Sequence, residues 1–597
     1  MVDSVTLEVI RNGCTAIAEE MNANLVRTGY SPNIKERRDC SCALFDADGR
    51  MVAQAENMPV HLGAMPFSVA AAVDQFADSL ESGDAVLLND PFRGGAHLPD
   101  LTLVAPIYAD PDGDDPELVA YAANRAHHAD VGGSTAGSVA ANSTEIYQEG
   151  LRIPPVKLLS GGEIVDDVLE MILANVRTPD ERRGDIRAQE AANETARERV
   201  HELVDKYGTD QLTEAFDEIQ DYSERRMRAE LREFPDGTYS FEDVLDDDGA
   251  GNTDLRVAAS ITVDGDSVHV DFAGTADQTD GPVNAVLAVT TSATYYAIRC
   301  VTDPDIPPNH GCYRPIDVDA PDGSLVNPNP PAAVVGGNLE TSQRVTDVVL
   351  GAIGTEAPER VTAAGQGTMN NVTFGGTDPR DVSPSGASGG SSDGADGDSP
   401  YAFYETQGGG FGGRPDGDGL DGVHVHMSNT MNTPVEVLET AYPLRVRQYA
   451  FRPDSGGAGE HRGGLGLRRD IQVRDHVARF SLLAERHTHA PYGLAGGQPG
   501  GKGAAFVYDA DEYDAGGDGD RLPQKSVRDL DPGSVVSVRT PGAGGFGDPE
   551  DRDRDAVLRD LELGKVTHVY AREYHGVDPD ERNADSRPGD RDETTDD

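Results

Sequence analysis

Three short apolar runs between residues 84 and 133 constrain the fold of this chain more than any other feature. They are "DAVLLND", "LTLVAPIYA" and the opening of "PELVAYAANRAHHADVGG". Runs of this length, bounded by turn residues, read as buried strands. Between the first two lies "NDPFRGGAHLPD", residues 89–100, where Gly94 and Gly95 let the backbone turn sharply. His97 and Asp100 follow, three residues apart. A loop between two strands is a common place for a site. An Asp before a strand is also ordinary turn chemistry.

Two further constellations stand nearby. "AHHADVGG" gathers His127, His128 and Asp130 at the end of the third run. In an extended segment, successive side chains point to opposite faces, so only one of the two histidines can join a given site. In "KERRDCSCALF", Asp39 precedes an apolar strand and follows Glu36, Arg37 and Arg38. It is either paired to those arginines or held for a site. Mixed imidazole and carboxylate ligands suit Zn, Mn or Fe. A catalytic site of this kind keeps a position open for water or substrate and can activate water or polarise a carbonyl.

Other candidates carry less. "GVHVHMSNTMNTPVEVLE" places His424 and His426 on one face of an expected strand, as a second site or as packing. The Gly-rich stretches 405–419 and 540–549 lack a following G-K-[ST] and open no clear helix. They read as loops where backbones approach closely.

Residues 5–28 carry apolar positions at helical spacing, and Gly29 and Pro32 end the pattern. "DADG" between two alternating runs signals a hairpin, and 67–80 reads as a second helix. From Thr178 to Phe234 the pattern is helical, split by "KYGTD" at 206–210. Beyond 237 the chain is rich in short strands and glycines. The expected fold is α+β and multi-lobed, with mixed sheets. An N-terminal metal-site lobe spans 1–177, a helical layer 178–236 and a strand-rich lobe 237–376. A low-complexity acidic loop follows at 377–400, then a Gly-rich β lobe at 401–577 and a polar tail, read as disordered, at 578–597.

Asp and Glu number 105 against 50 Lys and Arg, a formal net charge of −55. Nucleic acid and anionic membrane are excluded as partners by like charge. The acids are scattered and only six cations are lysines (Lys35, Lys157, Lys206, Lys502, Lys525 and Lys565). Molar salt shortens the Debye length to about 3 Å and screens such a surface, so the composition reads as adaptation to a salt-rich cytoplasm. Five cysteines imply no disulfide framework and fit a reducing compartment. "MVDSVTLEVIRNG" lacks the pattern of a signal peptide, and no run approaches a membrane span.

Taken jointly, "RTGYSPNIKERRDCSCALFDADGRMVAQAENMPVHLGAMPFSV", "GDAVLLNDPFRGGAHLPDLTLVAPIY", "ANRAHHADVGG", "EGLRIPPVKL", "NVRTPDERRGDIRAQEAAN", "ERHTHAPYGLAGGQPG" and "TPGAGGFGDP" resemble the hydantoinase B family. That family includes the B-type subunit of N-methylhydantoinase, the C-terminal half of 5-oxoprolinase and the alpha-type subunit of acetone carboxylase. The resemblance runs to about residue 577; "ADPDGDDPE" at 109–117 and the segment 377–400 depart from it. It implies a two-part, hetero-oligomeric enzyme. A separate A-type subunit uses ATP to phosphorylate the oxygen of a small cyclic amide, and the B-type subunit, bearing one divalent metal (Zn or Mn), hydrolyses it. The ketone enzymes of the family carboxylate instead. By motif, the implied ligands are His97, Asp100 and His127, with Asp39 as a fourth; His128 and Asp130 are the implied catalytic candidates beside them. A non-catalytic partner that scaffolds the ATP-binding subunit is the alternative of another class.

Overall fold

The structure, a computed structural model, describes residues 2–55, 57–76, 79–111, 113, 116–380 and 399–578. It is α+β, as expected. The apolar runs form a seven-stranded, wholly antiparallel sheet: β1 (Cys40–Asp46), β2 (Met51–Gln54), β3 (Ala85–Leu88), β4 (Asp100–Tyr108), β5 (Leu118–His127), β6 (Val156–Ser160) and β7 (Glu163–Ile164), in the order β2-β1-β5-β4-β3-β6-β7. Continuous apolar sequence follows from cover on both faces. Cys40, Cys42, Leu44, Ala122 and Ala126 pack toward helices Ser4–Thr28 and Pro179–Tyr207. Ala43, Phe45, Val104 and Ala123 pack toward helix Met65–Phe76. The expected break at 206–210 is Gly208, which separates Pro179–Tyr207 from Thr209–Leu231. The first of these helices sends Gln189 and Asn193 inward to bond Asn124 of β5.

Three further sheets follow: four strands within 237–319, four within 371–530 and five within 444–539. Strands Asn371–Asp378 and Ser399–Glu405 pair with each other across the low-complexity segment, of which 381–398 lie outside the described residues, as does the tail from 579. Several helices went unforeseen in this half, the longest being Leu287–Cys300 and Ser342–Gly354. Every residue of the second is buried, its charged Arg344 and Asp347 included. Residues 422–426 form no strand. Among the described residues no helix is long and apolar enough to cross a membrane.

The loop carrying "GGAHLPD" is fixed from several sides. Asp90 caps the turn at Phe92 N (3.1 Å), and Gly95 N donates to Asp90 O (2.8 Å). Asn89 holds Leu98 O through Nδ2 (2.7 Å) and Ile153 N through Oδ1 (2.7 Å). Gly94 has φ +94, in the left-handed region. A Cβ at Gly95 would stand 2.3 Å from Asn89 O. Gly95→Ala should therefore cost about 1–3 kcal/mol, read as a lowered thermal midpoint.

Glu149 ties this region to the later chain: its Oε1 accepts from Val334 N (2.9 Å) and Val335 N (3.1 Å). Burial pushes its carboxyl up to about 8, against those two bonds. A folded-state value above the unfolded one means the native state holds more protons in between, so stability falls as pH rises from about 5 toward 8. Glu149→Gln should flatten that fall, measured as the midpoint in urea at pH 5.5 and 8.5.

Candidate metal centre

Strand register builds the centre. Cys40 opposes Ala126 on β5, and His127 opposes Asp100 on β4. One residue before β1, Asp39 accepts from His127 N through its carbonyl (3.0 Å). Asp39, His127 and Asp100 thus form one lateral row across β1, β5 and β4. Opposed residues in antiparallel strands share a face, so all three side chains stand together. The row beneath is Ser41, Arg125 and Thr102, where Arg125 Nε donates to Thr102 Oγ1 (2.8 Å).

His97 enters from the glycine loop, with Nδ1 2.9 Å from Asp100 Oδ2. His127 Nδ1 lies 3.4 Å from Asp100 Oδ1. Donor atoms of His97, Asp100 and His127 all lie within 4.8 Å of one another. A residue that the sequence reading passed over joins them. His61, on the short helix Pro59–Leu62, brings Nε2 to 3.3 Å from Asp100 Oδ1 and 3.9 Å from Asp39 Oδ1. Its signal was a lone histidine in the apolar stretch "MPVHLGAM". These five residues are at most 3% exposed.

Polar satisfaction is missing there. Both ring nitrogens of His97, both carboxylate oxygens of Asp100, His127 Nε2 and Asp39 Oδ1 are buried without a hydrogen-bond partner. The His97–Asp100 approach is close, yet its angle is not that of a hydrogen bond. Lone pairs crowded together without protons between them are what a shared cation resolves, so the residues present fit a divalent metal. Burial opposes ionisation of Asp100, but His97, His61 and His127 outweigh it and hold the carboxyl well below its usual range. Burial lowers the pKa of His97, with Asp100 opposing, so its ring favours the neutral form that a ligand needs.

A wall from the C-terminal half closes the centre. Tyr404, on the strand Ser399–Glu405, stacks on the His127 ring at 4.5 Å and 12°. Its hydroxyl donates to Asn371 Oδ1 (3.0 Å), and Asn371 Nδ2 donates to Glu340 Oε1 (2.8 Å). Glu340 lies in a π-helical turn, Gly337–Thr341, and burial pushes its carboxyl up to about 8. Arg37 lies over Tyr404 at 5.1 Å and approaches Asp39 to 3.8 Å.

The other expected residues stand elsewhere. His128 points to the opposite face, where Nε2 meets Gln189 Oε1 at 2.9 Å. Burial, then Arg182, push its pKa down to about 4. Asp130 is engaged by Gly132 N (3.0 Å), Gly137 N (3.1 Å) and Arg177 (2.7 Å). Neither joins the cluster. His424 bonds Asn432 Oδ1 (2.8 Å), and His426 sits in a left-handed turn with φ +49.

The chain is thus an α+β protein of several antiparallel sheets, with a buried imidazole and carboxylate cluster on the first of them. The chain belongs to the hydantoinase B/oxoprolinase family, whose pattern matches residues 3–549. It is 40% identical to an uncharacterized protein of Methanocaldococcus jannaschii, over 95% of this chain and 94% of that one. It is 31% identical to the B-type subunit of a putative D-/L-hydantoinase from a Pseudomonas species, over 96% of this chain and 95% of that one. Against 5-oxoprolinase 1 of Arabidopsis thaliana the identity is 36% over 92% of this chain, which spans only 42% of that protein. Among solved structures, the ATP-dependent caprolactamase of Pseudomonas jessenii superposes with a TM-score of 0.87 at 29% identity, covering 98% of each chain. Acetone carboxylase shares the fold, with a TM-score of 0.82 at 19% identity, over 96% of this chain and 79% of that one.

His97→Ala should abolish retention of about one metal per chain after dialysis, read by elemental analysis. Tyr404→Ala should weaken retention by about tenfold or more through loss of the fixed His127 ring, whereas Tyr404→Phe keeps the stack and should retain most of it.

Proposed function

We propose that this chain is the metal-bearing, B-type component of an ATP-dependent enzyme that hydrolyses a small cyclic amide, activated by phosphorylation on a separate A-type, ATP-binding subunit. The observation that carries the reading is the row Asp39, His127 and Asp100, with His97 turned onto it and its donor atoms left unpaired. Its membership of the family and the names of its relatives supply the substrate class. A relative named as one subunit of a hydantoinase, matched along nearly its whole length, supports a partner, as does the 42% span on 5-oxoprolinase 1.

Amide bonds in small lactams and cyclic ureas are resonance-stabilised. Moving the amide oxygen into a phosphate ester turns the carbon into a better electrophile. A divalent cation held by His97, Asp100, His127 and Asp39 would supply Lewis-acid polarisation and lower the pKa of water. The protein's own part is orientation and exclusion. Tyr404 fixes the plane of the His127 ring, and His61 Nε2 faces both carboxylates. In place of catalytic roles, we assign His128 and Asp130 the task of bracing β5 and the loop after it, since their polar contacts are made there. The acidic surface fits work in a salt-rich cytoplasm.

Co-expression with an A-type partner, then ADP release on hydantoin, N-methylhydantoin, 5-oxoproline and caprolactam in high salt, tests the reading. Ring opening of at least one, without bicarbonate, is expected, and His97→Ala should slow it by about a hundredfold or more. ATP use dependent on acetone and bicarbonate alone would mark a ketone carboxylase. Full turnover with all four ligand residues replaced would mark a scaffold.

A further inference from the structure

The sequence leaves Asp39 two alternatives, pairing to a neighbouring arginine or service at a site. One side chain makes both true. Arg37 is 1% exposed and stands two residues before Asp39. Its guanidinium approaches Asp39 Oδ2 to 3.8 Å, the only ion pair it makes among the described residues. The other oxygen, Oδ1, is the one left without a hydrogen bond, and it faces His61 Nε2 at 3.9 Å. A cation on the Oδ2 side thus leaves Oδ1 turned to the cluster.

The remaining N–H groups of Arg37 hold what the centre leans on. Nη1 donates to Asn33 Oδ1 (2.6 Å) and Tyr404 O (3.3 Å). Nη2 donates to Thr406 Oγ1 (2.6 Å), and Nε to Met431 O (3.3 Å). Asn33 passes the constraint on: its Nδ2 donates to His127 O (3.1 Å), and its carbonyl accepts from Asp39 N (3.1 Å). The Tyr404 ring, 5.1 Å below the guanidinium, stacks on the His127 ring. Thr430 Oγ1 closes the clasp by donating to Arg37 O (2.6 Å). One planar fork therefore meets the supports of two ligand residues on one side. On the other it meets chain 367 to 394 residues further on. Guanidinium carries five N–H groups in a fixed plane, whereas an ammonium offers a point charge and three rotating donors.

We propose that Arg37 is the positioning residue of the centre. It sets Asp39 Oδ1 and the stack of Tyr404 on His127 relative to each other, so that metal affinity depends on how segments 404–406 and 430–431 are seated. This rests on the reading of Asp39, His97, Asp100 and His127 as the ligand set, and adds a residue that acts through two of them.

Titration of the full chain with Zn²⁺ and with Mn²⁺ against a competing chelator, in high salt, tests this. Arg37→Lys keeps the charge and loses the fork, and should weaken the tighter-held ion by about tenfold or more. In an Asp39→Ala chain the same change should cost about threefold or less, because part of its route to the ion is gone. Thr406→Val leaves Arg37 and every ligand in place and should weaken the ion by about threefold, a result that stands even where Arg37→Lys does not fold. Wild-type affinity in a folded Arg37→Lys chain, or in Thr406→Val, overturns the proposal. An equal loss from Arg37→Lys with and without Asp39 marks a general loosening of the fold and overturns it too. A wild-type chain with no affinity for either ion fails the reading of the centre, and the proposal falls with it; wild-type affinity beside silent variants fails the proposal alone.

Discussion

Two carboxylates and three imidazoles packed out of reach of water dictate most of what surrounds them. Buried charge without a partner is costly, and here the protein supplies little compensation within the cluster itself. Arg37 stands at 3.8 Å from Asp39, and Arg125 lies one row below, its guanidinium taken by Thr102, Ser68 and the His61 carbonyl. A bound cation would relieve the deficit. Tyr404 from a distant strand, His61 from a short helix and the loop braced by Asn89 all converge on one row of a sheet.

Much of that sheet is legible in sequence because β1 to β5 are buried on both faces, leaving unbroken apolar runs. The helix over Ser4–Thr28 and the break at Gly208 are legible for the opposite reason, since their faces differ in polarity or their turn demands glycine. The alternation along an extended strand also separates His127 from His128 before any coordinates, and the structure sends them to opposite faces. What sequence alone conceals is what arrives from far away. His61 lies 36 residues from His97 by number and 66 from His127, in a turn with no pattern of its own. Tyr404 looks like any aromatic of a β strand. The helix Ser342–Gly354 has no exposed side, and its Arg344 and Asp347 are as buried as its valines.

Charge is partitioned in the same way as polarity. The acids crowd the surface, and two cavities along helix Leu287–Cys300 are walled instead by aromatic rings, amides and a few arginines.

The hairpin of β4 and β5 carries a further lesson about how such a site ages. Asp100 and His127 lie at its open end, whereas "ADPDGDDPE" lies at its tip, beyond the last pairs Ile107 with Ala120 and Tyr108 with Leu118. A ladder fastened at one end is indifferent to how much rope hangs from the other. Residues can be gained or lost at the tip while the facing pair stays put, so the count between the two motifs is free to drift. Spacing in the primary sequence is then a poor ruler for this centre, and the rung on which two residues meet is the better one.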